Sequence, residues 1–378
     1  MPRIERVAIL GPAPPDRGGI ARETSLLARE LGSRAAVSWF TFSRPYPRWL
    51  DPRRFDRSPG QAPAPEARPS LDYLSPASWK KTAREIASAD ADALIAPWWT
   101  SFWGAPLRTV FRKVRELSPK TVRVLLCHNV QDHEPAMLER FLALGAFLAA
   151  DAFIVHAQSE RARLDRRAPG RPIAVLPHPI VESVRPDRER ARHELGITSP
   201  LVLFLGLVRR YKGVDVLLDA APRIVRETGA KVAVVGEVFP EARRLERRFR
   251  HSPARDSILW RDDYVSEEEM SRWLAACDAV VLPYRYVSGS GIAARAIAAR
   301  RPMVASAVGG LSETVVPGST GELFSPGDPD QLADAVARAL ARGLDFYEAG
   351  LSAAAAAASW SRYVDGLLSF LSSVETGR

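Results

Sequence analysis

The chain has 378 residues, with 53 basic and 44 acidic side chains and a formal net charge of +9. About 100–200 residues per domain makes this two or three domains. A composition 46% hydrophobic and 26% charged excludes disorder, collagen and coiled coil as the main architecture. The basic excess is almost all arginine: lysine occurs only at 80, 81, 113, 120, 212 and 231, and Asn129 is the sole asparagine. Such usage follows genomic base composition more often than a ligand. With neither a concentrated basic face nor a recognisable module in the sequence, no nucleic-acid partner is expected. Cys127 and Cys277 make neither a disulfide framework nor a CxxC metal site, and both read as buried small hydrophobes. The amino terminus lacks the apolar core and cleavage site of a signal peptide. The longest nearly apolar run, Phe141 to Ala157, is cut by Asp151 and falls short of the roughly 18 residues of a membrane span. A cytoplasmic location is expected.

Short apolar runs alternate with amphipathic stretches from end to end, the pattern of a parallel sheet wrapped by helices. Strands are predicted at Arg6–Leu10, Ala35–Thr41, Ala93–Ala96, Val122–Cys127, Ala152–His156 and Ile173–Leu176. Residues 43–70, rich in Pro and Arg, read as a long surface loop. The rhythm breaks at Pro177-His178-Pro179 and a charged stretch, then resumes with strands at Leu201–Leu205, Lys231–Val235, Ile258–Trp260, Ala279–Leu282 and Met303–Ala305. The run Ala353–Ala358 favours helix and continues into Trp360–Leu371, whose apolar residues share one face. The expected fold class is therefore α/β, with two facing doubly wound, Rossmann-like domains. Their boundaries fall at 1–180 and 181–350, followed by a docked terminal helix over 351–378. Ligands of such sheets sit at the carboxyl ends of strands, here in the cleft between domains.

Four segments carry candidate chemistry. After the first strand, Gly18 and Gly19 open a helix and offer bare N–H groups to an anion. After the seventh predicted strand, Arg209 and Lys212 suit a diphosphate, one as a fork and the other as a point charge. After Leu282, Ser288, Gly289, Ser290 and Gly291 start another helix and form a second anion cradle. His128 and Asn129 follow a buried strand, where an imidazole can bind a hydroxyl or share a proton. Adjacent Asp132, His133 and Glu134 do not converge on one metal ion. Asp90-Ala91-Asp92 resembles a metal–nucleotide Asp-x-Asp but precedes a strand, where no ligand is expected. No Walker loop and no local Ser/His/Asp or Cys/His arrangement is present.

In this order, Gly18-Gly19, His128-Asn129, Arg209…Lys212-Gly213, Gly236-Glu237, Leu282-Pro283, Gly309-Gly310 and Glu313 resemble the retaining glycosyltransferases of family 4, with a GT-B fold. The resemblance covers nearly the whole chain and implies that the terminal helix crosses back to the first domain. It implies sugar transfer from a nucleotide-diphosphate sugar, with no cofactor and no metal. The nucleotide would lie on the second domain and the acceptor, a saccharide, a lipid-linked group or a small molecule, on the first. Arg209 and Lys212 match the family's diphosphate clamp, Gly19 its donor-loop glycine, and His128 the histidine near the donor sugar. The family's Glu-x7-Glu carboxylates fall on Val287 and Arg295 here, so Ser288–Gly291 reads as a modified donor site. Glu313 is a candidate ribose contact or a helix cap. A nucleotide-sugar 2-epimerase of the same fold and a non-catalytic sugar-nucleotide-binding protein are the alternatives. Residues 44–57 carry five arginines with Tyr46, Trp49, Leu50 and Phe55. They read as a Pro-stiffened loop packed on the first domain or as a peripheral contact with the inner membrane face.

Overall fold

The computed structural model describes residues 4–16, 19–45, 64, 66–130, 137–180 and 187–376, without the side chains of 137–142. Gly18, residues 46–63 and the Asp132–Glu134 run lie outside it. The chain divides into two compact units: one holds residues 1–177 and 360–378, the other 178–359.

Unit 1 contains strands β1 Arg6–Leu10, β2 Ala36–Arg44, β3 Ala67–Asp72, β4 Ala93–Trp98, β5 Val122–Cys127, β6 Ala152–Val155 and β7 Ile173–Val175. All pair in parallel in the order β3-β2-β1-β4-β5-β6-β7. Every residue of β4 and β5 is buried, as a parallel strand covered on both faces requires. That includes Arg123, whose guanidinium lies 2.5 Å from the Asp151 carboxylate. Asp151, which interrupts the apolar run in the sequence, thus neutralises a cation inside the sheet. Asp92 accepts hydrogen bonds from the Glu5 and Arg6 amides, both at 2.8 Å. The Asp-x-Asp look-alike therefore pins the amino end of β1, on the edge away from ligand sites.

Unit 2 contains β8 Leu201–Leu205, β9 Lys231–Val235, β10 Ile258–Arg261, β11 Ala279–Leu282, β12 Met303–Ser306 and β13 Gly321–Phe324. Its parallel order is β10-β9-β8-β11-β12-β13. In each sheet strand order reverses once, between β1 and β4 and between β8 and β11, and such a reversal opens a crevice for a ligand.

Three expectations need correction. The stretch 43–70 is not loop throughout, because Ala67–Asp72 forms edge strand β3 beside β2. Alternation is weak there, and Pro69 is tolerated because an edge strand leaves one side unpaired. β13 also escapes the sequence reading: its Gly-Glu-Leu-Phe segment carries a buried acid, Glu322. Arg342 and the Tyr347 hydroxyl, the latter at 2.7 Å, satisfy that carboxylate. Finally, the alanine run does not continue into the terminal helix. It ends the helix Pro329–Ala357, and a separate helix, Trp360–Thr376, begins after a break at which Ile180 donates its N–H to the Ala358 carbonyl. The later helix belongs to unit 1 and packs on the helix Gly19–Gly32, where Arg34 reaches Ser361 at 2.7 Å and Asp365 at 3.3 Å. Among the described residues, no helix is long and apolar enough to cross a membrane.

Close backbone approach fixes the reversal in unit 2. Gly213 has φ 65°, and a Cβ there would lie 1.9 Å from the Pro283 carbonyl oxygen. Left-handed backbone alone costs an L-residue about 1–2 kcal/mol; the clash adds to it. Gly213→Ala is expected to lose more than about 2 kcal/mol in urea unfolding. Gly170→Ala, at φ 74° but in open space, should lose only about 1 kcal/mol. Equal losses would show that the approach to Pro283 carries no weight.

Candidate active site

In unit 2, four loops leave the carboxyl ends of consecutive strands and lock together. The loop after β8 carries Arg209 and Lys212, and that after β9 carries Gly236 and Glu237. The Val208 amide donates to the Glu237 carbonyl at 2.8 Å. The loop after β11 runs from Pro283 to Ser290. Its Arg285 guanidinium binds both oxygens of Asp215, at 2.8 and 2.7 Å, and the Arg210 carbonyl at 3.3 Å. The loop after β12 presses Gly309 against the Val287 carbonyl, which also accepts from the Gly310 amide at 3.3 Å. Arg209, Lys212, Gly236, Glu237, Ser288–Gly291 and Glu313 are thus gathered on one edge of one sheet.

The two cations differ in their surroundings. Arg209 stacks over Phe239, 4.6 Å from the ring centroid, and its Nε–H donates to Glu241 at 2.9 Å. That bond fixes the guanidinium and leaves its terminal nitrogens for a second anion. Lys212 is half-buried, with Nζ 5.2 Å from the centroid of the buried Tyr284 ring. Among the described residues no carboxylate pairs with its ammonium. Burial is the main cause that holds the Lys212 pKa below the ordinary lysine range; the Arg209 charge acts the same way and Tyr211 opposes it. A bound anion would relieve both effects.

Ser290 caps the helix Gly291–Ala298 by accepting from the Ala293 amide at 3.2 Å, which aims the helix dipole at the same edge. Ser288 is buried, its hydroxyl 3.3 Å from that of Tyr286. Val287, at the first carboxylate position, is buried and contributes its carbonyl to the Gly309 turn. Arg295, at the second, is held in a fork by Glu267, 2.8 Å to each oxygen. Space thus returns a carboxylate to the neighbourhood of 295, from a helix 28 residues earlier in the chain. Glu313 is exposed in the short helix Leu311–Thr314.

In unit 1, β5 ends at Cys127, and the His128 amide donates to the Trp98 carbonyl at 2.8 Å. The Asn129 side chain reaches the Trp99 carbonyl at 3.5 Å. Gly19, exposed, begins the helix Gly19–Gly32, which turns Glu23 inward. The Glu23 carboxylate lies 3.5 Å from His128 Nδ1 and 3.8 Å from His156 Nε2. His156 Nδ1 is 3.0 Å from the Leu176 carbonyl oxygen. Tyr363, from the terminal helix, stacks at a tilt 6.3 Å from His156. Burial raises its phenol pKa, and the Glu23 charge adds to the rise. The sequence reading missed Glu23, His156 and Tyr363. A glutamate on the same helical face as Leu27 and Leu31 was the available signal. Both cysteines are buried, as expected.

A family model described as glycosyl transferases, group 1, matches residues 199–342, the span that contains all the unit 2 candidates. Over that span the chain is similar to the group 1 glycosyl transferases. It is 33% identical over 253 residues to a D-inositol 3-phosphate glycosyltransferase of Catenulispora acidiphila, covering 61% of this chain and 59% of that one. Over 133 residues it is 37% identical to a GDP-mannose:glycolipid 4-beta-D-mannosyltransferase of Xanthomonas campestris, covering 34% of this chain and 37% of that one. The chain thus spans less than two thirds of the length of these relatives. Among solved structures, sucrose-phosphate synthase of Thermosynechococcus elongatus superposes with TM-score 0.74 at 20% identity, over 99% of this chain and all of that one. Anabaena HepE, solved with UDP and glucose, gives 0.75 at 16%, over 98% and 100%. These likenesses show the fold, which is GT-B.

The lowered pKa of Lys212 has a measurable consequence. In the free protein it loses its proton earlier than an ordinary lysine as pH rises, and a diphosphate beside it would restore the proton. Should the unit 2 edge take a nucleoside diphosphate, its binding at alkaline pH, tested with UDP, is expected to take up protons and to weaken as pH rises further. Calorimetry in buffers of different ionisation heat measures the uptake, and Lys212→Arg should abolish it because a guanidinium stays charged. Uptake that persists in that variant would assign the proton elsewhere.

Proposed function

We propose that this protein transfers a sugar from a nucleotide-diphosphate sugar to a saccharide, lipid-linked or small-molecule hydroxyl, with retention of configuration. One observation carries the reading. A half-buried ammonium and an anchored guanidinium share the carboxyl edge of a sheet with a Ser-capped helix start, within the segment that matches the transferase family. Such an edge answers concentrated negative charge, and a nucleoside diphosphate is the leaving group that brings it.

The reaction asks for charge stabilisation more than for covalent help. The bond from the anomeric carbon to the diphosphate oxygen breaks, and its electron pair stays on that oxygen. The acceptor oxygen bonds to the same face of the oxocarbenium-like carbon, and its proton passes to the departing diphosphate. Arg209 and Lys212 stabilise the growing charge, so that protein cations take the place of a metal ion. Ser288–Gly291 and Gly19 contribute hydroxyl or amide donors to donor oxygens. Gly236, Glu237 and Glu313 line the nucleotide side. His128, whose Nδ1 faces Glu23, is assigned to a hydroxyl of the sugar or acceptor, and Asn129 lies beside it.

The test is a panel of UDP-, GDP- and ADP-sugars assayed for nucleotide release with and without acceptors. The relatives' names make inositol phosphate and a glycolipid the first acceptors to try. Release that depends on acceptor supports transfer. An epimerised donor without acceptor would indicate the 2-epimerase, and binding without turnover a non-catalytic protein. Lys212→Ala should lose about 10²–10³-fold in rate with a urea midpoint no lower than that of the wild type, because a desolvated ammonium does not favour the fold; wild-type turnover would remove the assignment. His128→Ala should bind UDP normally but turn over slowly, and unchanged turnover would reduce His128 to an end cap of β5.

A further inference from the structure

Three helices on the outside of unit 1 bring together cations that the sequence scatters. Lys80 and Arg84 lie one turn apart on the helix Pro76–Ser88, and Arg108, Arg112, Lys113 and Arg115 lie on the helix Gly104–Leu117. They line a groove of about 590 Å³ and its continuation along the helix Met137–Ala149. Glu116 is the one acid in that lining, and Lys113 already pairs with it at 2.8 Å. Among the described residues no carboxylate pairs with Lys80, Arg84, Arg108 or Arg112, and all four are exposed. Like charges at this density repel, so the cluster costs stability unless something anionic covers it.

The same surface exposes leucines. Leu144 and Leu148, one turn apart, are 43% and 57% exposed. Arg108 crosses their helix at Gly145, where a Cβ would meet its Cδ at 3.0 Å. The guanidinium groups and the leucine side chains therefore occupy one continuous strip. An aqueous polyanion would neutralise the cations but leave the leucines in water. A bilayer surface satisfies both, because arginine forks match lipid phosphates and leucines one turn apart enter the acyl boundary.

We infer that this strip docks unit 1 on an anionic membrane, with Lys80, Arg84, Arg108 and Arg112 on headgroup phosphates and Leu144 and Leu148 inserted. The inference is independent of the proposed transfer reaction. It also differs from a membrane contact through residues 44–57, since none of those residues takes part.

The experiment is sedimentation of the full chain with vesicles of phosphatidylcholine containing phosphatidylglycerol, compared with phosphatidylcholine alone. Binding is expected to the anionic vesicles and to fall as salt rises. Each cation near such a surface contributes about fivefold in affinity. Arg108→Ser with Arg112→Ser should therefore weaken binding about 25-fold. Leu144→Ser with Leu148→Ser should weaken it by a similar factor. Arg161→Ser with Arg166→Ser, an equal charge change at exposed positions on and just after the helix Gln158–Asp165, should leave it unchanged. Far-UV circular dichroism and urea midpoints, equal in all variants, show that they are folded. No sedimentation at low salt would overturn the inference. So would equal loss in the Arg161/Arg166 control, or loss with the arginine pair but none with the leucine pair, which would describe a surface for a soluble polyanion such as nucleic acid.

Discussion

The contact between Gly213 and the Pro283 carbonyl sets the geometry on which the candidate site rests. It lies where strand order reverses between β8 and β11, and it leaves no volume for a side chain between the two loops. The Arg285–Asp215 fork bridges the same two loops a few residues away. Arg209 and Lys212 consequently have little freedom to retreat from the loop that ends at Ser290. Their charge is fixed before any ligand arrives, which is the condition under which electrostatic stabilisation contributes most to a rate.

Unit 1 solves a different problem. Glu23 is buried, and a buried carboxylate needs partners close by. Two imidazoles approach it, one from the end of β5 and one from the end of β6. Both strands end at the same sheet edge, so the histidines come together without being near in sequence. The terminal helix completes the enclosure by bringing Tyr363, and Arg34 holds that helix in place. This gives the helix Trp360–Thr376 a role in the electrostatics around His128 as well as in packing.

Much of this was legible in the chain order of residues. Nine of the eleven predicted strands match within one residue at each end, while β2 and β4 extend past their predicted ends at Thr41 and Ala96. Continuous apolar runs bounded by Gly, Pro and polar residues leave little ambiguity in a doubly wound sheet. The two missed strands, β3 and β13, are sheet edges, where apolar pressure is weakest. The unit 2 candidates were readable because each follows a strand directly. What stayed hidden depends on distant pairs: Glu267 with Arg295, Glu241 with Arg209, and Glu23 with two histidines. The cationic strip was invisible for the same reason. No linear segment within it is unusual for an arginine-rich chain, and only the packing of three helices concentrates it.

That arginine-rich background sharpens the meaning of position 212. Arginines elsewhere in the chain meet structural demands by forking onto carboxylates, as Arg285 and Arg295 do, or by sharing a carboxylate and a carbonyl, as Arg123 does. At 212 no carboxylate among the described residues is there to pair with, and the space is narrow: a Cβ on Gly206 would already lie 3.5 Å from Nζ. A compact ammonium fits beside that glycine and over the Tyr284 ring, where a planar guanidinium would need a wider opening. The desolvation that lowers the Lys212 pKa is thus tied to the same closeness that would bring its charge against a bound phosphate. An ammonium kept there at a cost in stability is most simply understood as a group whose partner arrives with the ligand.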